Sequence, residues 1–320
     1  MEKRSKLQFL PITLFSTVMG LAGLTLALRA AETHLGFTAQ FDGIAAGITG
    51  SIFIVLIIFY TLKVLRYPSD VKKELKHPIK LSFFPAFSIS LILCAMILLP
   101  YHQQGALMLW SAGAAIQLIF TLYVMSQWLL SGHFHIGHIS PPWFIPVVGN
   151  ILVPVAGSKL VSIEISWFYF SIGLLYWLIL LTLIFQRKIG HSQLPLKLFP
   201  TLFILIAPPA VGFLSYVNMT GQMDGFARFL YFSAVFVAIL LVVNLHRFLR
   251  LPFFISWWAY SFPVAALTIA TAVMFEMTGW RGYWWAAYGL LLILVVIIAI
   301  LVIRTLSALL TGQLLIPEEE

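Results

Sequence analysis

The sequence holds a single cysteine, Cys94, inside an apolar run, which excludes an intrachain disulfide and any metal site built from several cysteines. Charge is scarce: 9% of residues are Asp, Glu, Lys or Arg, against about 25% in a soluble domain. Acidic charge is scarcer still, with 11 Asp and Glu against 19 Lys and Arg. What is abundant is apolar surface: 61% of the 320 residues are hydrophobic, with a mean hydropathy of +0.99. These proportions fit a polytopic membrane protein and exclude an ordinary soluble domain. In a soluble protein the net charge of +8 would suggest nucleic acid. Here it is expected to mark the cytoplasmic face, with the lipid bilayer and not nucleic acid as partner. The basic stretch 1–6 precedes an apolar segment too long for a signal-peptide core and without a small-residue cleavage site, so no cleaved leader is expected.

A membrane span needs about 20 mostly apolar residues. Ten candidates satisfy this: 9–28, 43–65, 81–100, 105–130, 142–160, 165–185, 198–217, 226–246, 253–277 and 283–303. With the N-terminus inside, fifteen Lys and Arg fall on the cytoplasmic side and four (Arg29, Lys159, Arg228, Arg281) on the other. That asymmetry predicts cytoplasmic N- and C-termini. The longest connection, 63–80, reads as a solvated basic loop meeting anionic lipid headgroups.

Proline is absent from every even-numbered span. The odd ones contain or begin with it: Pro11; Pro85; Pro146 and Pro154; Pro200, Pro208 and Pro209; Pro263. Proline lacks an N–H and crowds the carbonyl four residues back, in the ninth span that of Ala259. A freed carbonyl is costly against lipid, so helices kinked at Pro85, Pro146, Pro154, Pro208, Pro209 and Pro263 are expected to face protein or water. Pro85, Pro146, Pro208 and Pro263 recur roughly every 60 residues, one hairpin per period. The expected fold is therefore one all-α integral membrane domain over 1–320. It comprises five helical hairpins in one orientation (9–65, 81–130, 142–185, 198–246, 253–303), with the proline-bearing helices around a central pore and the regular ones outside.

No Asp, Glu, Lys, Arg or His occupies the middle of an odd span; Arg29, Lys159 and Glu276 lie at outer ends. Ion-coupled carriers usually need an intramembrane ionisable group, so its absence favours passive flow. The inner face would offer Phe15, Ser16, Thr17, Phe84, Phe87, Ser88, Asn150, Phe213, Ser215, Ser261, Phe262, Thr268 and Thr271. Hydroxyls, amides and N–H groups at helix breaks can donate to an anion. Without fixed charge, dehydration should dominate selection and favour monovalent, weakly hydrated anions. Phe262 precedes Pro263, and a ring projecting from a kink can close a narrow pore.

Four runs carry a family resemblance: PITLFSTVMGLAGLTLA at 11–27, ISPPWFIPVVGNILVPVAG at 139–157, APPAVGFLSY at 207–216 and, most specific, WWAYSFPVAALTIA at 257–270. In order and spacing the chain resembles the tellurite-resistance/dicarboxylate transporter family, which includes bacterial TehA proteins and plant guard-cell slow anion channels. The resemblance implies five hairpins around a pore, a homotrimer with one pore per protomer, and conduction of small inorganic anions of the chloride and nitrate type. It also implies a gating phenylalanine in the ninth helix, which falls on Phe262. Where bacterial relatives carry a glycine-rich stretch beside the gate, this chain has Phe15-Ser16-Thr17, with Ser16 where glycine is common. The long tails of the plant channels have no counterpart, so control by phosphorylation is not expected; the short termini suit a bacterial inner membrane. The family also includes carriers of dicarboxylates, sulfite and tellurite-type oxyanions. The lack of a charged substrate anchor counts against a dicarboxylate carrier.

Other features point to less. His133, His135 and His138 lie in a short loop without carboxylate or thiol and are expected to be interfacial, not metal-binding. Glu276 is expected at a solvated helix end. Asn218-Met219-Thr220 is a glycosylation sequon only in a glycosylating host. No nucleophile–base pair, phosphate loop or acid pair suggests an enzyme, and no cofactor is expected.

Overall fold

The computed structural model describes residues 6–38, 40–132, 134–190 and 194–315; His133 and the terminal Glu318-Glu319-Glu320 lie outside them. In chain order the α-helices are α1 (Phe15–Leu35), α2 (Asp42–Arg66), α3 (Pro68–Lys76), α4 (Pro85–Leu98), α5 (Gln103–Leu130), α6 (Phe144–Leu160), α7 (Ile163–Gly190), α8 (Ala207–Thr220), α9 (Gly225–Val243), the single turn α10 (Leu245–Phe248), α11 (Ser261–Thr278) and α12 (Arg281–Leu310). No strand occurs among the described residues. Among the described residues, ten helical segments are long and apolar enough to cross a membrane. The protein is a multi-pass integral membrane protein.

The ten segments form two classes. In those that carry proline or directly follow one (Pro11), 72–89% of the most apolar stretch is buried inside the protein; in the other five the figure is 11–33%. The buried helices form a closed circuit: α1 packs on α4, α4 on α6, α6 on α8, α8 on α11, and α11 returns to α1. Each also packs on the helix that follows it across the membrane (α2, α5, α7, α9 and α12). Those outer helices expose Ile54, Leu129, Phe236 and Leu292, a surface that suits hydrocarbon and not water.

Proline acts differently from a mid-helix break. Each inner span begins with a 3-10 lead-in, and the α-helix proper starts near the proline. The lead-ins are Ile12–Leu14, Lys80–Phe83, Pro141–Trp143, Leu196–Ile206 and Ile255–Tyr260. Pro85 is the first residue of α4, Pro208 and Pro209 the second and third of α8, and Pro146 and Pro263 the third of α6 and α11. In a first turn the missing N–H has no intrahelical acceptor to lose, so proline is tolerated there. Pro154 stands inside the interior of α6, and Pro200 inside the 3-10 lead-in Leu196–Ile206.

Two further expectations are corrected. The stretch 63–80 is not a solvated loop: it contains α3, and Lys63 is fully buried. Its Nζ donates to Leu10 O and to Glu74 Oε1, each at 2.6 Å. The first span continues to Leu35, not to residue 28, which brings Arg29, Glu32 and His34 into α1. There Arg29 pairs with Asp42 at 3.0 Å and donates to Met96 O and Ile97 O. At the same end Asp224 caps α9 by accepting from Ala227 N. The Tyr216 hydroxyl, donating at 2.6 Å, holds the Asp224 carboxyl below its usual range.

Polar side chains tie the inner and outer layers. Gln117 of α5 lies flat across α6: it accepts from Ser88 at 2.7 Å and donates to Pro146 O at 2.8 Å, while Asn150 donates to Thr121 at 2.8 Å. This is possible because residue 149 is glycine; a Cβ there would stand 2.3 Å from the Gln117 amide. Gly149→Ala must therefore either part α5 from α6 or strand a buried amide, at a cost of about 1–3 kcal/mol. We expect a lower melting temperature in detergent for Gly149→Ala. Gly47→Ala on α2, where a Cβ would meet nothing within 4 Å, should leave it unchanged or raise it slightly.

Candidate functional site

One cavity lies where the five inner α-helices begin. Its volume is about 550 Å³ including the open mouth, and every inner span contributes to its wall. The first supplies Thr13, Ser16 and Met19; the next three supply Phe83, Ala86 and Ile89, Ile145 and Val148, and Ile204 and Ala207; the last supplies Ser256, Trp258, Ala259, Phe262 and Pro263. No outer helix reaches the wall, and none of the wall residues is ionisable.

Hydroxyls provide the wall's polarity. Ser16 Oγ donates to Thr13 O at 2.6 Å and Ser256 Oγ to Lys197 O, whereas the Thr13 hydroxyl has no partner among the described residues. The backbone adds little free donor capacity here, because the N–H groups at the five junctions are already bonded to lead-in carbonyls: Phe15 N to Ile12 O, Phe84 N to Leu81 O, Phe144 N to Pro141 O, Ala207 N to Ile204 O and Ser261 N to Trp258 O. None of the inner α-helices or their lead-ins has an acidic residue in its first turn. The cavity wall is therefore uncharged in its side chains and carries no acidic group to repel an anion.

Phe262 stands at the start of α11, 6% exposed, where its ring forms part of the wall. Two glycines of α1 allow this approach. A Cβ at Gly20 would lie 2.2 Å from Ser261 Oγ, and one at Gly23 would lie 2.8 Å from Ala265 Cβ and 3.7 Å from the Phe262 ring. Gly20 and Gly23, not the Phe15-Ser16-Thr17 stretch, are thus the glycines set against the Phe262 turn. Their spacing from Ser16, one and two helical turns on, is the signal that would have found them.

Of the side chains expected on the inner face, Ser16 and Phe262, with Pro263, line this cavity. The others lie elsewhere. Phe15 and Phe87 form an edge-to-face cluster with Phe53 of α2; Phe84 packs on Phe120 of α5 and Phe213 on Tyr231 of α9. Asn150 and Ser88 belong to the Gln117 network, Ser215 donates to Ile151 O, and Thr271 pairs with Tyr231. Thr17 and Ser261 donate to carbonyls of their lead-ins, Leu14 O and Trp258 O, and Thr268 to Val264 O of its own helix. An inner helix is buried on every side, so an aromatic or hydroxyl group on it can equally well bind the two layers together, join two inner helices or bond within its own span. Wall residues such as Ala86, Ile89, Val148 and Ala207 carry no chemical signal in the sequence.

At the far end, Glu276 lies in the last turn of α11, 54% exposed, with His34 Nδ1 of α1 2.8 Å from its carboxylate. His135 and His138 contact each other, and no group of three or more metal-ligating side chains occurs among the described residues.

Residues 10–306 match the protein family described as voltage-dependent anion channel, SLAC1. The chain is 26% identical over 287 residues to an uncharacterised transporter of Methanocaldococcus jannaschii, covering 82% of this chain and 84% of that one. It is 29% identical over 269 residues to the S-type anion channel SLAH2 of Arabidopsis thaliana, 82% of this chain and 52% of the plant protein. It is 24% identical over 307 residues to the tellurite resistance protein TehA homolog of Haemophilus influenzae, covering 95% and 92%. The chain thus spans about half the length of that plant channel and most of the archaeal and Haemophilus proteins.

Proposed function

Because the chain belongs to the SLAC1 family of voltage-dependent anion channels, we propose that it is a passive channel for small monovalent anions, closed by the Phe262 ring. The observation that carries this reading is the composition of the cavity wall: all five inner spans meet there, with no ionisable side chain to hold a substrate or relay a proton. No acidic side chain stands in the wall to repel an anion, and the Thr13 hydroxyl, without a partner among the described residues, supplies a donor. The pathway runs along the axis of the inner circuit, with the cavity at its cytoplasmic end. On the family's pattern the protein is a homotrimer in a bacterial inner membrane, with one pathway per protomer.

Dehydration then sets selectivity. The charging cost of desolvation rises with the square of the charge, so a divalent anion meets about four times the penalty of a monovalent one of equal size. Single-ion penalties already amount to several kcal/mol after relaxation. In planar-bilayer recordings we expect linear, non-saturating nitrate and chloride currents and sulfate permeability lower by at least about tenfold. Sulfate passing as readily as nitrate would overturn the argument. Small saturable flux of a dicarboxylate, sulfite or tellurite-type oxyanion would mark a carrier.

A further inference from the structure

The helix α3 is sorted by charge. Its two acidic residues are taken up on the inner side: Glu74 receives Lys63 Nζ at 2.6 Å and the Tyr60 hydroxyl at 3.1 Å, and Asp70 receives the Gln8 side-chain amide at 2.8 Å. Val71 is buried on the same side. Lys72, Lys73 and Lys76 point outward and are exposed, as is Arg66 just ahead of the helix. Lys73 remains 81% exposed even with Asp70 at 3.6 Å. Only Tyr67 separates α3 from the membrane-crossing α2, whose last turns expose Leu62, Val64 and Leu65. Those apolar side chains belong in hydrocarbon, which sets α3 at the depth of the headgroups.

The inner side of α3 reaches the cavity wall by two routes. It packs on Lys80–Phe83, the lead-in that supplies Phe83 to the wall. Through Glu74 it also holds Lys63, whose ammonium bonds Leu10 O. Three residues after Leu10 comes Thr13, also on the wall.

We propose that α3 is a docking surface for anionic phospholipid headgroups, and that their binding is passed through the Glu74–Lys63–Leu10 chain to the first inner span. Charge complementarity selects this occupant: three lysines and an arginine present one sign to a headgroup layer that supplies the other.

The test uses the full chain in neutral detergent, titrated with phosphatidylglycerol or phosphatidylcholine, with melting temperature as readout. Phosphatidylglycerol should raise the melting temperature, less at high salt, and phosphatidylcholine should not. Each lysine near such a surface is worth about fivefold in affinity, so the triple variant Lys72→Gln, Lys73→Gln, Lys76→Gln should bind on the order of a hundredfold more weakly. Coupling is read separately, by the rate at which a charged thiol reagent modifies Ser16→Cys in a Cys94→Ala background. Phosphatidylglycerol vesicles should change that rate several-fold relative to phosphatidylcholine, and Glu74→Gln should abolish the difference. Equal stabilisation of wild type and triple variant would overturn the docking surface. Equal effects of the two lipids would also overturn it and point to a soluble acidic partner. A lipid-dependent rate that survives Glu74→Gln would overturn the coupling. Neither readout measures current, so each outcome is independent of whether the protein conducts.

Discussion

Phe262→Ala is expected to raise the nitrate current of the reconstituted protein by at least about tenfold over wild type, with a linear current–voltage relation. The reasoning is local. Phe262 contributes a phenyl ring to a wall that also holds Phe83 and Trp258, three hydroxyls, and otherwise small and aliphatic groups. Removing the ring leaves space that its neighbour cannot refill, because the α1 residue facing it is Gly23. An apolar constriction blocks ions both sterically and by excluding water, and a truncated side chain relieves both. Tenfold requires a barrier lower by only about 1.4 kcal/mol, a small part of what shedding a hydration shell costs. Phe262→Leu should fall between wild type and alanine. Phe213→Leu is the control: that ring is fully buried against Tyr231 in the outer layer, so conduction should not change. A Phe262→Ala protein that folds and carries wild-type current would remove Phe262 as the gate. Flux abolished by the substitution would point instead to a carrier.

The layers were legible in the sequence and the contacts were not. Proline parity separates buried from lipid-facing helices, because proline marks the helix starts that need protein around them. It does not reveal that those starts are 3-10 turns, since proline suits the first turn of either helix. The phase of an inner helix is equally hidden. Phe15 and Phe262 are both phenylalanines near the start of a buried span, yet one packs outward on Phe53 and the other lines the cavity. With apolar residues on all faces there is no amphipathic stripe to orient them. The glycine pair was visible, but its partner was not: only packing shows Gly20 and Gly23 set against Ser261, Phe262 and Ala265. Lys63 illustrates a different limit. Counting basic residues by side of the membrane gives the topology, but it treats every lysine as solvated, and this one is not.

That lysine is the site of the second large effect. Lys63→Met should lower the melting temperature of the purified protein by roughly 6 °C or more, corresponding to about 3 kcal/mol. The ammonium is fully buried and serves two acceptors, Leu10 O and Glu74. Deleting it leaves the Glu74 carboxylate, only 14% exposed, with the Tyr60 hydroxyl but no cation, and a carbonyl just ahead of Pro11 without the ammonium. Breaking a buried pair from one side costs more than replacing both members, so Lys63→Met combined with Glu74→Leu should recover part of the loss. The same arrangement recurs two hairpins later. Arg187, buried near the end of α7, donates to Ile139 O, two residues ahead of the Pro141–Trp143 lead-in. In both hairpins a cation at the end of the lipid-facing helix takes up a carbonyl at the end of a short 3-10 turn (Lys6–Phe9, Ile136–His138) just ahead of the lead-in, where a helix end leaves carbonyls without intrahelical donors. Arg187→Met should therefore destabilise to a similar degree. If both variants melt like the wild type, these cations do not hold the lead-ins, and the cavity wall owes its shape to apolar packing alone.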